Sequence, residues 1–102
     1  MAKFKLKFSE TFSKDLEKNI RYIVNKLKNP IVAERLNQNI RIAINRRLEN
    51  PIGYEPYHSK KKRENTYYRI YVRNYIIFYT VQDNEMIVRR MLFNKRNIKN
   101  IL

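Results

Sequence analysis

The sequence predicts an α+β fold in which a helical hairpin packs on an antiparallel sheet, and three observations carry that expectation. Apolar residues alternate with lysines over residues 3–8, then recur every three or four positions from Phe12 to Leu48, then crowd into β-branched and aromatic runs between residues 66 and 93. Asn-Pro pairs at residues 29–30 and 50–51 punctuate the helical stretch. The polar pairs Arg73-Asn74 and Asp83-Asn84 divide the β-rich stretch into three strands.

Taken in order, Phe4, Leu6 and Phe8 face one way on the first strand and Lys3, Lys5 and Lys7 the other. Those lysines read either as a stripe for RNA or as the guard that keeps an exposed edge strand from pairing with another chain. Ser9 offers an N-cap to a first helix whose stripe is Phe12, Leu16, Ile20, Ile23 and Leu27. Asn29-Pro30 ends that helix and starts a second, because Asn caps well and proline is tolerated at the first helical position. The second stripe is Val32, Leu36, Ile40, Ala43, Ile44 and Leu48. Two amphipathic helices joined this closely form a hairpin whose stripes need another layer, and the strands supply it.

Asn50-Pro51 closes the second helix, and residues 52–65 read as an irregular connector holding the single glycine, Pro56, His58 and the run Lys60-Lys61-Lys62-Arg63. Strands are expected over residues 66–72, 75–81 and 86–93, the middle one apolar on both faces as a central strand should be. Residues 94–102 are expected to add a short helix. On the first of these strands Tyr68, Ile70 and Val72 share one face and Tyr67, Arg69, Tyr71 and Arg73 the other, which therefore mixes cations with aromatic rings.

A length of 102 residues without a Gly, Ser and Pro-rich linker implies one domain over residues 1–102. A chain of this size buries only roughly 60–70% of its unfolded surface, so its core is thin and gains from a partner. Hydrophobic residues at 43% are nonetheless enough to exclude a disordered tail. Cysteine is absent and histidine single, so disulfides and a thiolate or zinc site are excluded, and no cofactor or metal is expected. No apolar run has signal-peptide length or approaches the roughly 20 residues of a membrane span, which points to the cytoplasm and to no membrane partner.

The net charge of +14, from 23 basic and 9 acidic side chains, exceeds what solubility asks for and implies an acidic partner. Arg69, Arg73, Arg89, Arg90, Lys95 and Arg96 are candidates for a phosphate-binding cluster at the strand ends, with Tyr67 and Tyr71 stacking on bases; ordinary solvated sheet faces are the alternative. His58 has the pKa suited to proton transfer, although a lone loop histidine is usually incidental; Tyr71 and Glu64 are weaker substitutes. Lys60, Lys61, Lys62 and Arg63 form either a solvated run or a contact to nucleic-acid backbone. Ile98, Ile101 and Leu102 make an apolar end that packs locally or receives a partner.

The element order, together with the words at residues 8–16 (Phe-Ser-Glu-Thr-Phe-Ser-Lys-Asp-Leu), 27–30 (Leu-Lys-Asn-Pro), 68–72 (Tyr-Arg-Ile-Tyr-Val), 74–81 (Asn-Tyr-Ile-Ile-Phe-Tyr-Thr-Val) and 94–97 (Asn-Lys-Arg-Asn), resembles the RelE/ParE superfamily of bacterial type II toxins. The resemblance implies a toxin that arrests growth unless bound in a hetero-oligomer by its antitoxin, a typically acidic and partly disordered protein usually encoded by the neighbouring gene. RelE-like members cut messenger RNA on the ribosome: the 2′-hydroxyl attacks its own phosphate, cations stabilise the charge and a tyrosine, histidine or carboxylate moves protons. ParE-like members instead inhibit DNA gyrase and perform no chemistry.

Against the nuclease pattern, two strand lysines align with Arg69 and Tyr71, a strand arginine with Ile76, the following arginine with Arg96 beside Lys95, and the C-terminal catalytic tyrosine with Leu102. Two cations survive and the proton-transfer group does not. The resemblance therefore favours the ParE-like route over a ribosome-dependent endonuclease using Arg69, Arg73 and Arg96, and a non-toxic basic nucleic-acid-binding module is the third reading. Arg69, Arg73, Lys95 and Arg96 are where target and antitoxin are expected to compete.

Overall fold

The computed structural model of the chain describes residues 3–57 and 65–93. Its elements run β1 (Lys5–Phe8), α1 (Glu10–Asn25), α2 (Pro30–Leu48), β2 (Pro56–Tyr57), β3 (Tyr67–Val72), β4 (Tyr75–Gln82) and β5 (Glu85–Leu92). The strands form one sheet in the order β1-β5-β4-β3-β2. The helical hairpin carries the chain from one edge of the sheet to the other. From there β3, β4 and β5 step back antiparallel until β5 lies beside β1 and parallel to it. The expected α+β order holds, and the sheet is mixed rather than wholly antiparallel.

Caps and edges behave as the residue types dictate. The Ser9 hydroxyl accepts the Phe12 N–H at 3.0 Å, capping α1, and donates to the Arg89 carbonyl at 2.8 Å. Asn29 caps α2 through the Val32 N–H at 3.2 Å, with Pro30 in the first helical turn. Between the helices Lys28 takes a left-handed conformation, φ 53°, and the Asn29 N–H returns to the Ile23 carbonyl at 3.1 Å. The helix thus stops short of Leu27, which is exposed, as is Val32; neither joins the stripe that their spacing suggested.

Residues 75 to 80 on β4 are all buried. On the hairpin side, Ile77 and Tyr79 pack with Phe12, Ile23, Leu36, Ile40 and Ile44. On the far side, Ile76 and Phe78 are closed over by Leu92, Tyr57 and Tyr67. Each fully buried side chain of this size is worth about 1.5–3 kcal/mol. Tyr57 comes from β2, a two-residue strand paired with β3 inside the stretch expected to be irregular. Two residues are too few to show a period, so the sequence pattern could not mark it.

The Tyr79 ring stacks on Tyr68 with centroids 5.2 Å apart, and its hydroxyl lies out of solvent. The hydroxyl donates to the Pro51 carbonyl at 2.7 Å and accepts from an Arg47 guanidinium nitrogen at 3.0 Å; the same nitrogen donates to the Arg69 carbonyl at 2.8 Å. One phenol therefore ties the end of α2 and the following loop to the middle of the sheet. Burial pushes the Tyr75 and Tyr79 phenols above the usual value near 10, and for Tyr79 the Arg47 hydrogen bond and charge partly offset that rise.

Tyr79→Phe should cost about 1–3 kcal/mol in urea unfolding, because the buried Pro51 carbonyl loses its donor and the Arg47 guanidinium loses one of its two acceptors. Since both phenols hold their protons more tightly folded than unfolded, they leave stability flat below about pH 10 and lower it as the pH rises beyond that. Unfolding curves measured from about pH 8 to pH 11 should show this decline, and it should be shallower in Tyr79→Phe.

Candidate functional site

The sheet face turned away from the hairpin carries the aromatic and basic mixture expected from β3. Tyr67, Arg69 and Tyr71 stand opposite Thr80, Phe78 and Ile76 of β4. Tyr57 from β2 meets Phe78 edge-on with centroids 5.4 Å apart. The Arg69 guanidinium lies 5.1 Å from the Tyr57 ring centroid and 5.9 Å from that of Tyr71, within the roughly 6 Å range of cation–π attraction. Arg69 is half-buried and Tyr71 more than half exposed, so an arginine flanked by rings faces outward over a dry base of Ile76 and Phe78.

The other described cations do not gather around it. Arg73 sits in the β3–β4 turn with φ 53° and lines a cleft with Ile23 and Leu36 on the hairpin side, so it does not share the Arg69 face as alternation suggested. A turn residue leaves the strand's alternation, which is the physical reason for the difference. Arg89 donates through Nε to the Thr80 hydroxyl at 3.0 Å. Arg90 donates through Nε to one Asp15 carboxylate oxygen at 2.8 Å and through Nη2 to the other at 3.3 Å.

Asp15 also accepts the Met91 N–H at 3.0 Å, which satisfies the edge of β5 beyond the end of β1. A bulge opposite Phe78 and Tyr79 directs Arg89 and Arg90 to these separate partners. Both arginines are thus partly buried and engaged with partners of the fold. His58, Lys60, Lys61, Lys62, Arg63, Glu64, Lys95, Arg96, Ile98, Ile101, Leu102 and the expected terminal helix lie outside the described residues.

Two residues of this region escaped the sequence reading. Tyr57 flanks Arg69 only because β2 exists. Arg47 lies with its guanidinium carbon 3.5 Å from the Tyr54 ring centroid and supports the Arg69 backbone. The tyrosines clustered at positions 54 and 57, after a helix ending in Arg46-Arg47, were the available signal.

Chemically, in-line attack on a phosphate needs several cations around one anion and a group that moves protons. The described face brings Arg69 together with aromatic rings, and Ile76, which the resemblance aligns with a nuclease arginine, is 2% exposed. Rigid aromatic rings around an arginine are side chains that commonly anchor protein interfaces. Among the described residues no group of three or more His, Cys, Asp or Glu side chains is placed to hold a metal ion. No described helix is long and apolar enough to cross a membrane.

The fold is that of the RelE/ParE type of bacterial toxin. A family model for the ParE toxin of the type II toxin–antitoxin system, parDE, matches residues 6–97, and the chain belongs to that family. Its fold is similar to that of a solved chain from the chromosomal ParDE toxin–antitoxin system of P. aeruginosa, with a TM-score of 0.75 at 13% identity, covering 93% of this chain and 100% of that one. It is also similar to a chain of the RelB–RelE antitoxin–toxin complex from Methanococcus jannaschii, with a TM-score of 0.50 at 27% identity over 94% of this chain and 99% of that one. No curated protein sequence matches.

Asp15→Ala should leave the Met91 N–H and the Arg90 guanidinium without their partner and lower stability by about 1–3 kcal/mol in urea unfolding. Arg90→Ala should likewise be read in stability, with the target affinity of the remaining folded protein unchanged.

Proposed function

We propose that this toxin arrests growth by a ParE-like route, binding DNA gyrase in the cytoplasm without cutting RNA, and that an acidic antitoxin silences it. The observation that carries the reading is Ile76. A nuclease would present an arginine to the scissile phosphate there, whereas this side chain is buried with Phe78 and Leu92 under the tyrosines. The separation of Arg73 from Arg69, and the engagement of Arg89 and Arg90 with Thr80 and Asp15, support the same conclusion.

The net charge of +14 on a small fold supports an acidic antitoxin, since a wrapping acidic segment neutralises like charges and covers apolar surface at once. The similar solved chains come from a ParDE toxin–antitoxin system and a RelB–RelE complex, which is consistent with such a partner. Arg69 and its flanking tyrosines are the anchor offered to the target.

Brief induction without antitoxin should leave transcript 5′ ends unchanged while an SOS reporter rises. New cuts within codons, without an SOS response, would instead establish the endonuclease. Arg69→Ala should weaken binding to purified gyrase about tenfold or more, the usual cost of truncating an arginine anchor, with thermal stability nearly unchanged.

A further inference from the structure

We infer that the cleft at the tip of the helical hairpin is where an acidic, apolar-anchored segment of the antitoxin docks. The cleft has a volume of about 380 Å³ and lies between the α1–α2 connection and the β3–β4 turn. Ile23, Leu36 and Tyr75 form its buried floor. Leu27, Val32 and Phe93 stand around it at 56%, 42% and 54% exposure, three large apolar groups left uncovered in one place. Phe93 is braced edge-on against Tyr75, with centroids 5.1 Å apart, so part of the apolar wall is already positioned.

Charge selects the occupant. Arg35 and Arg73 line the cleft, no acidic side chain does, and neither arginine makes an ion pair or hydrogen bond within the described structure. By contrast, the groove along the two helices is bordered by Glu17 and Glu34 and lacks that bias. Lys26 and Lys28 flank Leu27 in the connection and are exposed. Residues 94–102 of the chain itself carry Lys95, Arg96 and Lys99 and no acid, and a second copy carries the same +14, so both are electrostatically mismatched to this cleft. A segment placing an aliphatic or aromatic side chain among Leu27, Val32 and Phe93, with carboxylates reaching Arg35 and Arg73, fits on both counts.

This inference rests on the antitoxin reading above, and the test separates the two. The antitoxin encoded by the neighbouring gene is titrated against three forms of the full chain: wild type, Arg35→Glu/Arg73→Glu, and the equal-charge control Lys5→Glu/Lys18→Glu, each verified as folded by circular dichroism. Affinity should fall at least about tenfold in the cleft variant, as expected for losing two charge-assisted contacts, and less than about threefold in the control. Arg35→Lys/Arg73→Lys should recover most of the loss.

Equal losses in the cleft variant and the control, or no loss in either, would overturn the cleft assignment while leaving the antitoxin reading intact. Failure of the wild-type chain to bind the antitoxin would overturn both. Full antitoxin affinity with lost growth arrest would give the cleft to the target. Amide exchange of the free chain covers the remaining occupants. Protection at Leu27 and Asn74 that disappears on removing residues 95–102, or that grows with protein concentration, would assign the cleft to the chain's own tail or to a second copy.

Discussion

Strand β4 is buried on both faces although the helical hairpin covers only one of them. That constraint organises the molecule. The hairpin-facing side chains Ile77 and Tyr79 find cover from the two helices, but Ile76 and Phe78 must be closed over by something else. Tyr57, Tyr67 and Leu92 do so, and the two-residue strand β2 is what brings Tyr57 into place. Arg69 then lies among rings rather than in open water. The aromatic face is thus a by-product of sealing a central strand, and its character follows from the side chains available to seal it. The Tyr79 hydroxyl links the two sides, because Arg47, which it orders, also holds the Arg69 carbonyl.

Electrostatics sorts the arginines into two groups. Arg47, Arg89 and Arg90 make hydrogen bonds within the fold and serve it: Arg90 through Asp15 and the β5 edge, Arg89 through Thr80, Arg47 through Tyr79. Among the described residues the Arg35 and Arg73 side chains make no such bonds, and Arg69 turns its guanidinium toward tyrosine rings. A surplus of +14 therefore does not amount to one uniform basic surface. Arg69 and Arg73 project from opposite sides of the sheet, so they do not form the single surface on which target and antitoxin were expected to compete.

Much of this was legible in the sequence because the period of apolar residues and the capping residues are local signals. Ser9, Asn29 and Pro30 set the helix starts, and the turns at Arg73-Asn74 and Asp83-Asn84 lie where their residue types suggested. Three things were not legible. A strand of two residues has no period, so β2 and Tyr57 were hidden. Arg73 follows β3 in sequence but leaves its alternation once φ becomes positive. The engagement of Arg89 and Arg90 depends on a bulge and on Asp15, 75 residues before Arg90, and tertiary pairs of that range leave no mark in composition or spacing. The reading of Ile76 needed no such tertiary information: its side chain has no donor with which to hold a phosphate in any environment, whereas an arginine's role depends on its neighbours.

The central claim is that this face recognises a protein target and does not cut RNA. Purified, antitoxin-free chain added to a gyrase supercoiling reaction tests it most directly, with programmed ribosomes and their messenger RNA treated in parallel. The account predicts concentration-dependent loss of supercoiling that antitoxin reverses, with the messenger RNA intact. Undisturbed supercoiling together with codon-spaced cleavage of ribosome-bound messenger RNA would contradict it.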